Sequence, residues 1–153
     1  ARFFEVTELL RRWFPDCGLT CDVIVGFPGE TEEHQRETLT FLEKVAFSDT
    51  HIFPYSRRPG TPADKMPCQI DRATKARRAK EARRTGEETR KAFLQAQIGR
   101  TLPVLFETQE NGYWQGHSDN YLLVRVKGED LRGVVKNVRI SEVCGEILVG
   151  TAD

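Results

Sequence analysis

Three groups of residues in this 153-residue chain have types and spacings that could do chemistry. Gly26-Phe27-Pro28-Gly29-Glu30 follows the apolar run Val23-Ile24-Val25, so a stiff, glycine-bounded turn and a carboxylate stand at the C-terminal end of a short strand. Glycines let a backbone approach a ligand closely, or simply make a tight turn. In α/β folds the carboxyl ends of the strands are where ligands bind. Glu30 can accept from an amine or hydroxyl of a ligand, or cap and pair locally. The second group, Tyr55-Ser56-Arg57-Arg58-Pro59-Gly60-Thr61, joins an aromatic, two guanidiniums and a rigid turn. Arg57 or Arg58 can meet a carboxylate or phosphate bidentately, or the segment is a surface loop with a Pro-Gly turn. In the third, Tyr113, Trp114, His117, Asn120 and Tyr121 crowd around a hairpin. Such aromatics stack on unpaired bases or fill the core of a small barrel. Trp114 and Tyr121 are expected to divide between those two roles.

The cysteines and histidines offer less. Cys17 and Cys21 open a Cys-x₃-Cys-x₂-Cys pattern, but its third position is Ile24. A cluster that leaves one iron open to substrate needs three thiolates, so the pair reads as structural. Cys68 and Cys144 have no partner pattern, and His34, His51 and His117 lack metal-ligand spacing. No metal site and no catalytic side chain is expected within this chain.

Charged residues make up 30% of the chain and hydrophobic ones 39%, as in a soluble globular protein. No apolar run is long enough for a bilayer, and four scattered cysteines suit a reducing compartment, so a cytoplasmic location without membrane contact is expected. The net charge of zero hides an asymmetry. Residues 71–100 hold ten Lys or Arg against four Asp or Glu, whereas residues 1–70 hold eight against eleven and residues 101–153 five against eight. A polyanion would feel the middle segment first, unless that run is only a solvated helix face.

These groups need elements to position them. Phe3, Phe4, Val6, Leu9, Leu10 and Trp13 mark an amphipathic helix over 2–13, ended by Pro15. Val23–Val25 reads as a continuously apolar strand covered on both faces. Thr31 can cap a helix running to about Val45, and a second strand covers 51–55. The order α-β-α-β implies part of a parallel sheet or barrel. Residues 71–98 form one long helix whose inner stripe is mostly alanine, which predicts weak anchoring and a connector role. Strand candidates then follow at 102–107, 113–116, 121–127, 133–140 and 143–149, with Asn111-Gly112 as a strong hairpin signal. Five short strands in this span suggest a small closed barrel of the OB type.

Taken together, several of these stretches resemble the radical S-adenosylmethionine tRNA methylthiotransferases. Thr20-Cys21-Asp22-Val23-Ile24-Val25-Gly26-Phe27-Pro28-Gly29-Glu30-Thr31 resembles the fifth-strand region of their barrel, and His51-Ile52-Phe53-Pro54-Tyr55-Ser56 with Arg58-Pro59-Gly60-Thr61-Pro62-Ala63 resembles the next strand and loop. Gly112-Tyr113-Trp114-Gln115-Gly116-His117-Ser118 and Asn120-Tyr121-Leu122 are similar to the hairpin of their TRAM domain. The chain looks most like the threonylcarbamoyladenosine subfamily.

The resemblance implies an α/β half barrel of radical-SAM type over 1–70, a basic linker helix over 71–99, and an OB-like TRAM β-barrel over 100–153. It implies a transferase that cleaves S-adenosylmethionine at a [4Fe–4S] cluster and places a methylthio group on a modified adenosine beside a tRNA anticodon. Ile24, Gly26, Pro28, Gly29, Glu30, Phe53 and Tyr55 would line the nucleoside side of the cofactor pocket. Arg58, Arg77, Arg78, Arg83, Arg84, Trp114, His117, Asn120 and Tyr121 would contact tRNA. The cluster-binding cysteines are absent, and Cys21 stands where a threonine or similar small residue is expected, so the chain by itself is expected to be inactive. The alternative is a stand-alone RNA-binding module without catalysis. A half barrel also exposes strand edges through which two copies can associate.

Overall fold

Parallel pairing of two short strands organises the first half of the chain. A computed structural model describes residues 2–153. Strand β1 (Thr20–Val25) lies parallel to β2 (Asp49–Pro54), with Thr20 opposite Asp49 and Val25 opposite Pro54. Helix α1 (Arg2–Trp13) precedes them, and α2 (Glu32–Val45) makes the crossover. The start of α2 is set locally. The Thr31 side chain accepts from the His34 amide, and His34 Nδ1 accepts from the Thr31 amide. Glu32 and Glu33 lie in the first turn, where the helix dipole favours negative charge. The helix ends on Ala46, whose amide still donates to Leu42 O and whose left-handed φ of 51° turns the chain out of the helix.

The chain divides into two compact units. The first comprises the beginning of α1, up to Leu9, and Leu19–Arg90. Its core is Val25, Leu42, Val45, Phe47, Ile52, Ala79 and Ala82. The last two belong to α3 (Arg72–Gln95), which runs through both units. The alanine stripe therefore does not make this helix a loose connector. Small side chains let its backbone approach closely, and a Cβ on Gly86 would stand 2.1 Å from Thr50 Oγ1. The expectation that β1 is covered on both faces is also corrected. Val25 is buried and Val23 half-buried, but Thr20, Asp22 and Ile24 are exposed, because helices cover only one side of this two-stranded sheet.

The second unit comprises Leu10–Gly18 and Lys91–Asp153. Its strands are β3 (Thr101–Glu110), β4 (Tyr113–Ser118), β5 (Leu123–Val126), β6 (Val135–Cys144) and β7 (Ile147–Ala152). They close into a barrel in the order β3-β4-β5-β7-β6, with β5–β7 the one parallel pair. Side chains alternate as strands require. Leu102, Val104 and Phe106 point inward with Trp114, Val124, Val126, Val138, Ile140 and Leu148, and Leu94 of α3 joins them. Asn111 and Gly112 both take positive φ, 51° and 77°, as a tight hairpin demands. Beside a bulge at Phe106/Thr108, β4 passes so close to β3 that a Cβ on Gly116 would lie 2.0 Å from Leu105 O. Among the described residues no helix is long and apolar enough to cross a membrane.

Candidate ligand turn and nucleic-acid interface

In the first unit the register sets the C-terminal ends of β1 and β2 side by side. Beyond β1 the backbone turns through Gly26 and Gly29, with φ of 71° and 83°. The Glu30 amide donates to Phe27 O at 2.9 Å, and the Gly29 amide donates to Cys68 O at 3.0 Å. Beyond β2, Tyr55 N donates to Val25 O at 2.8 Å. The Tyr55 ring meets the Phe27 ring edge to face, with centroids 5.1 Å apart. Pro28 is buried in the turn, while Phe27 stays exposed. Ile24 and Phe53 are opposite each other in register, 57% and 49% exposed, on the uncovered face of the sheet. Of the residues expected around a nucleoside, Ile24 and Phe53 thus form one apolar surface, and Gly26, Pro28 and Gly29 form the adjoining turn.

Glu30 is placed differently. Its Oε1 accepts from the Gly26 amide at 2.9 Å and from Arg78 Nη1 at 2.6 Å. Arg78 also donates to Glu30 O at 3.0 Å and, through Nη2, to Glu32 Oε1 at 2.7 Å. Of the two roles open to Glu30, the structure selects the local one: its carboxylate fastens the turn to α3. This also corrects the expectation for Arg78, which is 3% exposed and cannot present a guanidinium to RNA. Lys75, one helical turn earlier, donates to Tyr55 O at 3.1 Å, and its stem fills the space that a Cβ on Gly26 would need. Sequence reasoning missed Lys75 and the bracing role of Arg78. Their signal was spacing, since Lys75, Arg78, Ala79 and Ala82 fall on one helical face.

The remaining expected RNA contacts divide by their partners. Arg77 is held by Glu32 at 2.7 Å and Glu81 at 2.9 Å. Arg83 Nη2 donates to Ile52 O at 3.2 Å, covering a β2 carbonyl. Arg84 is exposed and stands 3.8 Å from Glu88. Arg57 is taken by Asp64 at 2.8 Å, whereas Arg58 is exposed with no side-chain partner among the described residues.

In the barrel, Trp114 is a core residue, 6% exposed, and not a stacking platform. Tyr121 is 88% exposed at a left-handed φ of 64°. One ring of the pair is thus core and the other surface. His117 lies outside, 2.6 Å from Glu107. Asn120 serves the β4–β5 loop, accepting from Ser118 Oγ at 2.6 Å and donating to Asp16 O at 3.1 Å. One cluster was not singled out from sequence as charged: Arg125 and Lys127 against the Tyr113 ring. The cysteines are not gathered, and no three His, Cys, Asp or Glu side chains among the described residues form a metal-sized group.

No protein-family model matches the chain. It is 38% identical to the threonylcarbamoyladenosine tRNA methylthiotransferase MtaB of Bacillus subtilis over 144 residues, 90% of this chain and 32% of that protein. It is 39% identical to the tRNA-2-methylthio-N(6)-dimethylallyladenosine synthase of Campylobacter jejuni over 143 residues, 92% of this chain and 33% of the relative. The same synthase from Maricaulis maris is 37% identical over 152 residues, 97% of this chain and 33% of the relative. The aligned lengths take in both the strand-mouth turn and the barrel. Over nearly its whole length the chain is similar to tRNA methylthiotransferases, and it spans about a third of the length of the curated relatives it matches.

Proposed function

We propose that this chain is the C-terminal third of a cytoplasmic tRNA methylthiotransferase, in which the strand-mouth turn forms one side of an S-adenosylmethionine pocket and the barrel grips tRNA. The observation that carries the reading is 37–39% identity along nearly the whole chain to enzymes of this name. The first unit then corresponds to the last strands of a radical-SAM barrel, and the second to a TRAM domain. The strand order of the closed barrel supports the second assignment, because first-second-third-fifth-fourth with one parallel pair is the OB arrangement.

The residues present fit a nucleoside. Exposed Ile24 and Phe53 offer apolar contact to a flat base, and the glycine turn offers close backbone approach. S-adenosylmethionine would supply the methyl group and, with its cluster, the radical. The residues of this chain would hold its nucleoside end, and the Arg78–Glu30–Gly26 bracing would keep the turn in shape. The residues present do not fit a [4Fe–4S] cluster, since no three thiolates come together. On this reading its ligands would come from another part of the protein.

We take the substrate to be the threonylcarbamoylated adenosine beside the anticodon. The test is to express the full-length protein carrying this chain in a host lacking its own enzyme for that base, then to digest the tRNA and analyse its nucleosides by mass spectrometry. A methylthio group on threonylcarbamoyladenosine is expected. A methylthio group on dimethylallyladenosine instead would transfer the substrate assignment, and no methylthiolated nucleoside would overturn the reading in favour of an RNA-binding module without catalysis.

A further inference from the structure

The geometry points to a single-stranded RNA site on the outer face of β4 and β5, built from Tyr113, Arg125 and Lys127. The inference rests on the reading of this chain as a tRNA binder and names the surface that does it.

Charge pairing argues first. The cations expected to meet RNA on α3 are largely committed: Arg78 is buried between Glu30 and Glu32, Arg77 bridges Glu32 and Glu81, and Arg83 covers a strand carbonyl. On the barrel the situation is reversed. Arg125 Cζ lies 5.6 Å from the centroid of the Tyr113 ring, and Lys127 Nζ lies 5.4 Å from it. Neither cation meets a carboxylate among the described residues, and Arg125 Nε is buried without a hydrogen-bond partner. The acidic side chains on neighbouring β3 are engaged: Glu110 accepts from Gln115 at 2.9 Å, and Glu107 pairs with His117 at 2.6 Å. A barrel carrying more acidic than basic residues thus keeps two unneutralised cations together on one aromatic.

Position and chemistry agree with this. Trp114 pairs with Val126 and Gln115 with Arg125, so Tyr113 and Lys127 meet at one end of the β4–β5 ladder. These are the second and third strands of the barrel, the face that OB-type barrels use for oligonucleotides. A tyrosine ring accepts any base by stacking, and adjacent cations take the flanking phosphates. Exposed Tyr121 provides a second ring in the loop at the other end of the same hairpin. Unpaired RNA is the occupant because a duplex hides its base faces and offers only its backbone and grooves.

The test is fluorescence anisotropy of the full chain with a labelled single-stranded oligoribonucleotide and with a duplex of the same sequence, across a salt series. The single strand is expected to bind more tightly. Tyr113→Ala should weaken it about tenfold at every salt concentration, as loss of one stacked base does, while Tyr113→Phe keeps the affinity. The double variant Arg125→Gln, Lys127→Gln should lower the log–log salt slope by about 1.4, two phosphate contacts on a single strand. Near-ultraviolet circular dichroism of buried Trp114 reports that the barrel is intact. Should the chain bind RNA while these variants behave as wild type, this site is wrong and the tRNA reading stands. Equal affinity for single strand and duplex also overturns the site. No RNA binding by the wild-type chain at low salt would overturn both.

Discussion

Arg78 and Glu30 meet at 2.6 Å with their side chains only 4% and 13% exposed, although 48 residues separate them. The pair joins α3 to the turn after β1, and Glu30 passes the restraint on to the Gly26 amide at 2.9 Å. The shape of the candidate ligand turn therefore depends on a helix that follows it by more than forty residues.

Removing one partner should cost more than the pair contributes. Arg78→Met leaves Glu30 poorly solvated and unpaired, which destabilises by about 3–5 kcal/mol. The exposed Arg84→Gln should stay within about 0.5 kcal/mol. Urea denaturation followed by circular dichroism separates the two, and equal midpoints would show that the bracing is idle. Glu30→Gln combined with Arg78→Met should recover part of the loss, because no buried charge then remains.

Gly116 makes a prediction for the barrel. An alanine there would place its Cβ 2.0 Å from Leu105 O, a backbone atom that moves only if β3 and β4 separate. Gly116→Ala is expected to cost about 3 kcal/mol or more, at the upper end of overpacking effects. Gly145→Ala is the control. Its φ of 63° is unfavourable but nothing stands within 4 Å, so the cost is about 1 kcal/mol. Thermal melts would contradict the close-approach account if Gly145→Ala proved the more damaging.

Acid should loosen the first unit. Hydrogen bonds from Arg78, then Arg77, hold the Glu32 carboxyl below its usual range, and the Thr74 hydroxyl and amide do the same for Asp71. Such groups bind fewer protons folded than unfolded. Their contribution is complete above the ordinary carboxylate value of about 4 and is lost as pH falls through the lower folded value. Urea midpoints measured at about pH 6 and about pH 3 should fall less in Glu32→Gln than in wild type. An identical drop in both would remove Glu32 from the account.

The thiols should react in a set order. Burial first, and Asp22 second, push the Cys21 thiol up to about 11. At neutral pH its thiolate is then roughly 100-fold scarcer than that of an ordinary cysteine. Cys68 and Cys144 are exposed, so iodoacetamide should label both well before Cys21, as peptide mass mapping would show. Asp22→Asn should speed Cys21 modestly, since the carboxylate is the smaller of the two causes. Early labelling of Cys21 would contradict the burial seen here.

Local signals made much of the fold legible. Thr31 capped its helix, Asn111-Gly112 turned its hairpin, and the glycine-bounded turn closed β1 as its residues indicated. Boundaries shifted where backbone pairing carried strands past their apolar residues, as when β1 began at Thr20 instead of Val23. Each of these features is settled by φ preferences, side-chain-to-backbone bonds and periodicity within a few residues, which a linear sequence contains.

Partner choice was another matter. Sequence alone determined that α3 is basic, that an aromatic cluster follows Asn111-Gly112, and that a carboxylate closes the strand-mouth turn. Only the tertiary structure decided that Arg78 turns inward while Arg84 stays outside, and that Trp114 is core while Tyr121 is surface. It alone decided that Glu30 holds a helix and that Tyr113 carries two unpaired cations. The reason is that charge and aromaticity belong to a residue, whereas burial and pairing belong to contacts between segments far apart in the chain.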